Sequence, residues 1–294
     1  MDLVSRTDRI PSPGETINGT AFEMHSGGKG ANQAVAVARL GHPSILLGAT
    51  GDDLFGHQLQ STLNESGVDT SHINIVHGSS GVASITVDSS GENTIIVVPG
   101  ANLKVTPAYL STKLDVIKEA AMVLAQLEIP LETIEWLANV CADHGVPLML
   151  DPAPARRLPL SLLRNVTWFT PNQTETSFYW TEGDTTEQNL SCLFEMGIAN
   201  IILKQGSEGA VIAAADGTRE QVAAFPVNAI DTTAAGDAFN GAFAVGLARG
   251  NSIKASAQFA AAAAAISVTR RGAQSSLPNE DEVAAFLKTN ALPR

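Results

Sequence analysis

The sequence predicts an α/β protein with a central, mostly parallel sheet, flanking helices and a small β-rich layer at its side. Three observations predict it. Short β-rich runs alternate with longer stretches of helical spacing. Polar or Gly-rich clusters follow several of those runs. Two segments, 3–26 and 81–99, carry no helical periodicity and are broken by Pro, Gly or turn residues.

Taken in order, segment 3–26 is helix-poor, with Pro11, Pro13 and Gly14 punctuating it. Residues 27–34 open a helix that ends near Leu40-Gly41. Residues 44–47 read as a strand and 54–66 as a helix. Residues 82–87 and 94–98 alternate around a turn cluster at 88–93, the pattern of a hairpin. Together with 3–26, the 81–99 segment predicts a small antiparallel layer, a lid over a site or a dimer contact. Residues 121–127 read as a strand and 131–144 as a helix. Residues 146–150, 168–170 and 200–204 read as further strands. Residues 239–245 have helical spacing, and the alanine run 260–265 predicts a tightly packed helix, because alanine is the best helix former. No internal repeat or low-complexity linker divides the 294 residues, so one domain with a discontinuous lid (3–26 and 81–99) is expected.

Composition narrows the function. The chain is 44% hydrophobic with mean hydropathy +0.09, and 16% of its residues are charged, which excludes a disordered or coiled-coil chain. A net charge of −12 argues against general nucleic-acid or anionic-membrane binding, though not against a locally positive phosphate site. Cys141 and Cys192 cannot build a disulfide framework, and both are expected as buried free thiols. No signal-like or membrane-spanning apolar run is present, so a soluble, cytoplasmic protein is expected. The histidines lack metal-ligand spacing, and no zinc site is assigned.

Chemistry-bearing clusters fall after predicted strands, beginning at Glu128, Asp151, Thr170, Lys204 and Asp231. Open α/β sheets bind ligands outside the carboxyl ends of their strands, although any single cluster is more often a plain turn. The small residues Ala234-Ala235-Gly236 open a helix, whose bare N–H groups and dipole suit an anion. Asp237 in that first turn reads either as an ordinary helix-start acid or as a base beside a bound phosphate. Gly27-Gly28-Lys29-Gly30-Ala31-Asn32-Gln33-Ala34 mimics a dinucleotide fingerprint but lacks its third glycine and a preceding buried strand, which disfavours a nicotinamide dehydrogenase. Lys29 and Asn32 could instead hold a polyhydroxyl ligand. Any ATP site is not a P-loop. Asn172 and Glu175 share a helix face and read either as a cap or as orienting water around a magnesium–phosphate complex.

These motifs resemble the ribokinase-like carbohydrate kinases over nearly the whole chain. The most specific is Asp231-Thr232-Thr233-Ala234-Ala235-Gly236-Asp237-Ala238-Phe239-Asn240-Gly241, followed by the Gly27–Ala34 cluster and Thr170-Pro171-Asn172-Gln173-Thr174-Glu175. Pro13-Gly14-Glu15-Thr16, Thr50-Gly51-Asp52-Asp53, Gly91-Glu92-Asn93, Gly100-Ala101-Asn102 and Pro152-Ala153-Pro154-Ala155-Arg156 match as well. The resemblance implies a ribokinase-like fold with a β-sheet lid that pairs in a homodimer, and ATP-dependent phosphorylation of a sugar's terminal hydroxyl. The Gly27–Ala34 cluster and residues 269–274 point to D-ribose and its 5-hydroxyl.

Carried over by position, Asp237 would be the base, with Ala234, Ala235 and Gly236 forming the anion hole. Asp2, Gly28, Lys29, Gly30, Asn32 and Glu128 would bind the sugar with Asp237. Asn172, Lys204, Gln205, Gly206, Ser207, Glu208 and Gly209 would hold ATP, together with Gly236 and Asp237. Glu175 would meet Mg2+ through water. Asp231, Thr233, Ser267, Arg270, Gly272 and Ser276 would form a K+ site, mostly through backbone oxygens. The alternatives are a kinase of another sugar or nucleoside, and a sugar- or nucleotide-binding protein without turnover.

The sequence also departs from the family. Met1-Asp2 aligns inside the family's Gly-Ser-x-Asn-x-Asp segment, so the first strand and its sugar-binding Asn are missing. Either the natural start lies upstream or the product is destabilised, and sheet edges and apolar surface are expected to be exposed. Ala261 stands where Asn or His is often found, and Ala238 replaces the commoner Thr, a change expected to be mild.

Overall fold

The computed structural model describes residues 1–179 and 185–290. The chain begins with β1 (Asp2–Arg6) and β2 (Ala21–His25), followed by α1 (Lys29–Arg39), β3 (Ala49–Gly51), α2 (Leu54–Glu65) and β4 (Asn74–Val76). The hairpin β5 (Val82–Val87) and β6 (Asn93–Val98) comes next. Two short helices, α3 (Pro107–Ser111) and α4 (Leu114–Glu119), lead to β7 (Val123–Ala125), α5 (Leu131–His144) and β8 (Leu148–Leu150). The chain continues through α6 (Leu160–Leu163), β9 (Trp168–Phe169), α7 (Gln173–Thr176), α8 (Thr186–Glu195) and β10 (Asn200–Lys204). It ends with β11 (Ala210–Ala214), β12 (Arg219–Val222), α9 (Ala235–Ala248), α10 (Ile253–Ser267) and α11 (Glu280–Thr289).

The main sheet has six strands in the order β12-β11-β10-β9-β8-β7. Strands β7 to β10 run parallel, whereas β10, β11 and β12 pair antiparallel. The parallel strands are apolar because helices cover both faces. One apolar layer packs α5, α6 and α8 on the sheet through Ile134, Cys141, Leu162, Leu163 and Leu190. The other packs α9 and α10 on it through Met149, Trp168, Ile202 and Phe243. There Trp168 meets Phe243 edge-to-face at 5.0 Å, a geometry worth about 0.5–1.5 kcal/mol beyond burial.

The small layer is a four-stranded sheet, β2-β1-β5-β6. Its β1–β5 pair is parallel and its other pairs are antiparallel, so it is mixed rather than purely antiparallel. Residues 44–47, expected as a strand, form only the Ile45–Asp69 bridge, and the strand comes later as β3, paired with β4. Ile45, Leu46 and Leu47 line a cleft instead. Strands β11 and β12 and helices α8 and α11 had no counterpart in the sequence reading. Cys141 is fully buried as expected, but Cys192 is only partly buried and donates its thiol hydrogen to the Tyr179 carbonyl at 3.3 Å.

The main sheet stops at β7, and β3–β4 forms a separate pair. Between them runs a cleft of about 1700 Å³. Leu46, Leu47, Val105, Ile117, Val123 and Leu124 line its apolar part, while Asp2, Lys29, Asn32, Glu128 and Asp237 line its polar part. Helix α1 packs against α9 beside it. Gly241 allows the approach, because a Cβ there would fall 2.6 Å from the Ala36 Cβ.

Candidate active site

Helix α9 starts abruptly. Ala234 precedes it with φ 61, and it is the one non-glycine residue with positive φ among the described residues. That conformation is strained for a residue with a Cβ and turns the chain sharply into the helix. The Ala235 N–H is taken by the Thr232 carbonyl at 3.2 Å. Gly236 and Asp237 follow in the first turn, where helix geometry gives their N–H groups no intrahelical acceptor. The anion-binding end expected over Ala234–Gly236 therefore rests on Gly236 and Asp237, not on Ala235.

Asp237 is 4% exposed. Asn32 donates to its Oδ2 at 2.9 Å and Gln33 donates to its Oδ1 at 3.0 Å, both from α1. Burial pushes the carboxyl up to about 6, and Asp151 adds to the rise, while Lys29 and the two amide donors oppose it. Lys29 is the mirror case. Burial works against its ammonium, but Asp237, Asp151, Glu128 and Glu175 outweigh burial and hold its pKa above the usual value.

The sugar-side residues gather at the same place. Gly28 takes φ 93 just before α1, a conformation that favours glycine, and so turns the Lys29 N–H onto Glu128 Oε2 at 2.9 Å. Burial raises the Glu128 carboxyl. Gly30 passes close to the Gln126 side chain. Asp2, at the start of β1, packs against Gly27, and burial raises its carboxyl too. Asn32 is 5% exposed, and its Oδ1 is buried without a partner. Such an acceptor matches a ligand hydroxyl.

Lys204 ends β10 and lies at the mouth of α9, with its ammonium close against Gly236. It pairs with Asp151 at 3.0 Å, and both side chains are nearly buried. Gln205 to Gly209 form the tight connection into β11, where the Gln205 N–H bonds the Gly209 carbonyl. Lys204 to Gly209 do not line the large cleft, nor do Asn172 and Glu175. Asn172 bridges Lys204 along the strand edge, which places it on this second side. Asn172 and Glu175 form a complete capping box on α7, as the plainer of the two sequence readings had it. Glu175 is 9% exposed, and burial raises its carboxyl while Lys204 lowers it.

The proposed cation residues lie in the loop before α9 (Asp231 and Thr233) and in the stretch from the end of α10 (Ser267) through Arg270 and Gly272 to the turn at Ser276. Asp231 Oδ1 accepts from the Thr233 N–H and Oδ2 accepts from the Gly272 N–H, each at 2.9 Å. Burial alone would raise the Asp231 carboxyl, but these bonds hold it below the usual range. The Arg270 side chain turns away to Glu282, so only its backbone remains for an ion. The Ser267 carbonyl accepts from the Arg270 N–H, and the Ser276 hydroxyl donates to the Ala273 carbonyl. Among the described residues no cluster of three His, Cys, Asp or Glu could hold a metal ion. Carboxylate, hydroxyl and carbonyl oxygens are the donor type that a hard cation takes.

Three residues of the site had been given no role: Gln33, Gln126 and Asp151. Gln126 donates to Gln33 Oε1 at 2.6 Å, and Gln33 donates to Asp237 and also to Asp151 Oδ2 at 3.1 Å. The available signal was Asp151 at the carboxyl end of an all-buried strand, and Gln33 inside the Gly-rich cluster.

A family model described as pfkB family carbohydrate kinase matches residues 1–280. A ribokinase of Bacillus subtilis is 42% identical over 289 residues, covering 98% of this chain and 96% of that protein. A ribokinase of Schizosaccharomyces pombe is 41% identical, covering 96% of this chain and 93% of that protein. The structure of an Arabidopsis thaliana ribokinase complexed with ribose and ATP superimposes with a TM-score of 0.92 at 33% identity, over 98% of this chain and 95% of that one. Sequence and fold agree over nearly the whole chain, and the chain belongs to the pfkB family of carbohydrate kinases.

Proposed function

We propose that this chain phosphorylates D-ribose at its 5-hydroxyl with ATP. The observation that carries the reading is the buried Asp237 at the start of α9, facing Asn32 and Lys29 on one side and bare helix N–H groups on the other. The sugar lies along Asp2, Gly28, Lys29, Gly30, Asn32 and Glu128, where the free Asn32 Oδ1 accepts from a hydroxyl. ATP lies on the side of Asn172 and Lys204 to Gly209, with its transferred phosphoryl at Gly236 and Asp237. Asp237 takes the proton of the sugar hydroxyl. That oxygen forms a bond to the γ-phosphorus as the bond to the bridging oxygen breaks, and ADP leaves with the electron pair. Magnesium, when bound with ATP, would supply charge neutralisation for the transferred phosphoryl, and Glu175 would meet it through water. Potassium at the Asp231–Gly272 loops would steady the start of α9.

The small sheet is read as a lid over the sugar that excludes water, and its exposed apolar strand β6 as the contact with a second copy. Among the described residues no helix is long and apolar enough to cross a membrane.

The deciding experiment is ADP release by the purified chain with Mg2+ and K+, with D-ribose, with fructose and without sugar. Ribose-dependent release is expected. Equal release in all three would overturn the reading, and preference for fructose would move it to another sugar.

A further inference from the structure

A second acid, Asp151, lies beside Asp237, with the Lys29 and Lys204 ammoniums around the pair. Asp151 follows β8 and is 3% exposed. Its two oxygens are split between two partners. Oδ1 takes the Lys204 ammonium at 3.0 Å, and Oδ2 takes the Gln33 amide at 3.1 Å. The same Gln33 nitrogen donates to Asp237 at 3.0 Å, and Gln126 fixes the far end of the Gln33 amide. The acceptor role of Gln33 Oε1 toward Gln126 fixes its amide nitrogen toward the two acids. A rigid chain therefore runs from Lys204, at the mouth of α9, through Asp151 and Gln33 to Asp237.

We propose that Asp151 is a positioning residue for the phosphoryl transfer: it holds the Lys204 ammonium beside the first turn of α9 and, through Gln33, holds the Asp237 carboxylate in its reacting orientation. The inference rests on the kinase reading given above. Lys204 lies against Gly236, so an ammonium anchored there meets the phosphoryl group that those N–H groups bind. A lysine has a flexible stem, and Asp151 removes that freedom. A buried carboxylate beside another is unfavourable, and the Lys204 charge offsets it.

The charges around Asp237 decide the pH dependence. Lys29 on α1 favours its ionised form and Asp151 after β8 opposes it. Lys204 on β10, Glu128 before α5 and Glu175 on α7 form the next ring, facing Lys29 or Asp151. Removing the Asp151 charge leaves Lys29 and Lys204 to favour the carboxylate, so Asp237 loses its proton at lower pH. Removing the Lys204 charge leaves Asp151 uncompensated, so Asp237 loses its proton at higher pH.

The test compares Asp151→Asn, Lys204→Met and the double variant in the full chain. It uses the pH profile of kcat, the KM values, and a carboxyl carbon-13 NMR titration of Asp237, which needs no turnover. The midpoint should fall by about half a unit or more in Asp151→Asn and rise by a similar amount in Lys204→Met. Both single variants should lose about tenfold or more in kcat, with the KM for ribose within about twofold of the parent. The double variant, whose neutral pair also guards against misfolding of either single change, should return the midpoint toward the parent while kcat stays low. Midpoints that stay put or move the same way in the single variants overturn the proposal. So does a double variant with parental kcat. If only the double variant folds, a low kcat with a parental midpoint supports the proposal and any other result overturns it. Absent sugar-dependent ADP release by the parent chain would strike the kinase reading instead.

Discussion

The proposed reaction turns on one carboxylate, and its burial makes two predictions. Asp237 is held up to about 6 by desolvation above all, so its base form is lost as the pH falls through that value. Turnover should therefore decline with a midpoint near pH 6, read from kcat/KM between pH 5 and 8. Stability runs the other way. The folded pKa lies above the unfolded one, so ionisation is resisted by the fold, and the chain gains stability as pH falls from about 6 toward the ordinary carboxylate range. Asp237→Asn should cut kcat by about 10²–10⁴-fold, the usual worth of a general base. It should leave ribose binding by calorimetry and the Tm at pH 7 at least equal to the parent, because a buried charge is removed. Retention of most activity would remove the assigned base.

At the scale of elements, the α1–α9 contact is what brings Lys29, Asn32 and Gln33 to Asp237. Gly241 makes that contact close, with Ala36 opposite. Gly241→Val should force the helices apart, cost about 1–3 kcal/mol in denaturant unfolding, and lower kcat more than it raises the KM for ATP. The proposed K+ site gives a second prediction: replacing K+ by Na+ should slow turnover several-fold, and equal rates would remove the K+ assignment. These elements differ in how far the sequence disclosed them. Helix α5 was legible because Pro130 and Gly145 bracket it and Gly145 takes the left-handed φ 69 its end requires. The helix-opening clusters at Lys29 and Asp237 were legible for the same local reason. Strand β3 was misplaced because Ile45, Leu46 and Leu47 have strand composition but face a cleft, a tertiary fact. Gln33, Gln126 and Asp151 were illegible as a network because their partners lie 53 to 204 residues away along the chain.

For the whole molecule, the small sheet is the part with apolar surface to spare. On β6, Ile95, Ile96, Val97 and Val98 are all more than half exposed, as is Phe22 on β2. A monomer seldom leaves such a strand bare. A homodimer through this sheet is expected, seen as doubled mass by light scattering at micromolar concentration. Ile96→Glu with Val98→Lys should return the mass to one chain and raise the KM for ribose. A parent chain that stays monomeric at high concentration would remove the dimer.

The unclosed side of the main sheet leaves its own mark. Strand β7 bonds β8 on one flank only, and Val123 gives its N–H to Pro147 there. By the alternation of a strand, the Leu124 N–H points the opposite way, into the apolar cleft. In deuterium exchange the Leu124 amide should therefore label orders of magnitude faster than that of Met149 on β8, which has neighbours on both flanks. A short apolar peptide that paired with β7 would erase the difference, so labelling at this single amide reports whether the sheet is open or closed.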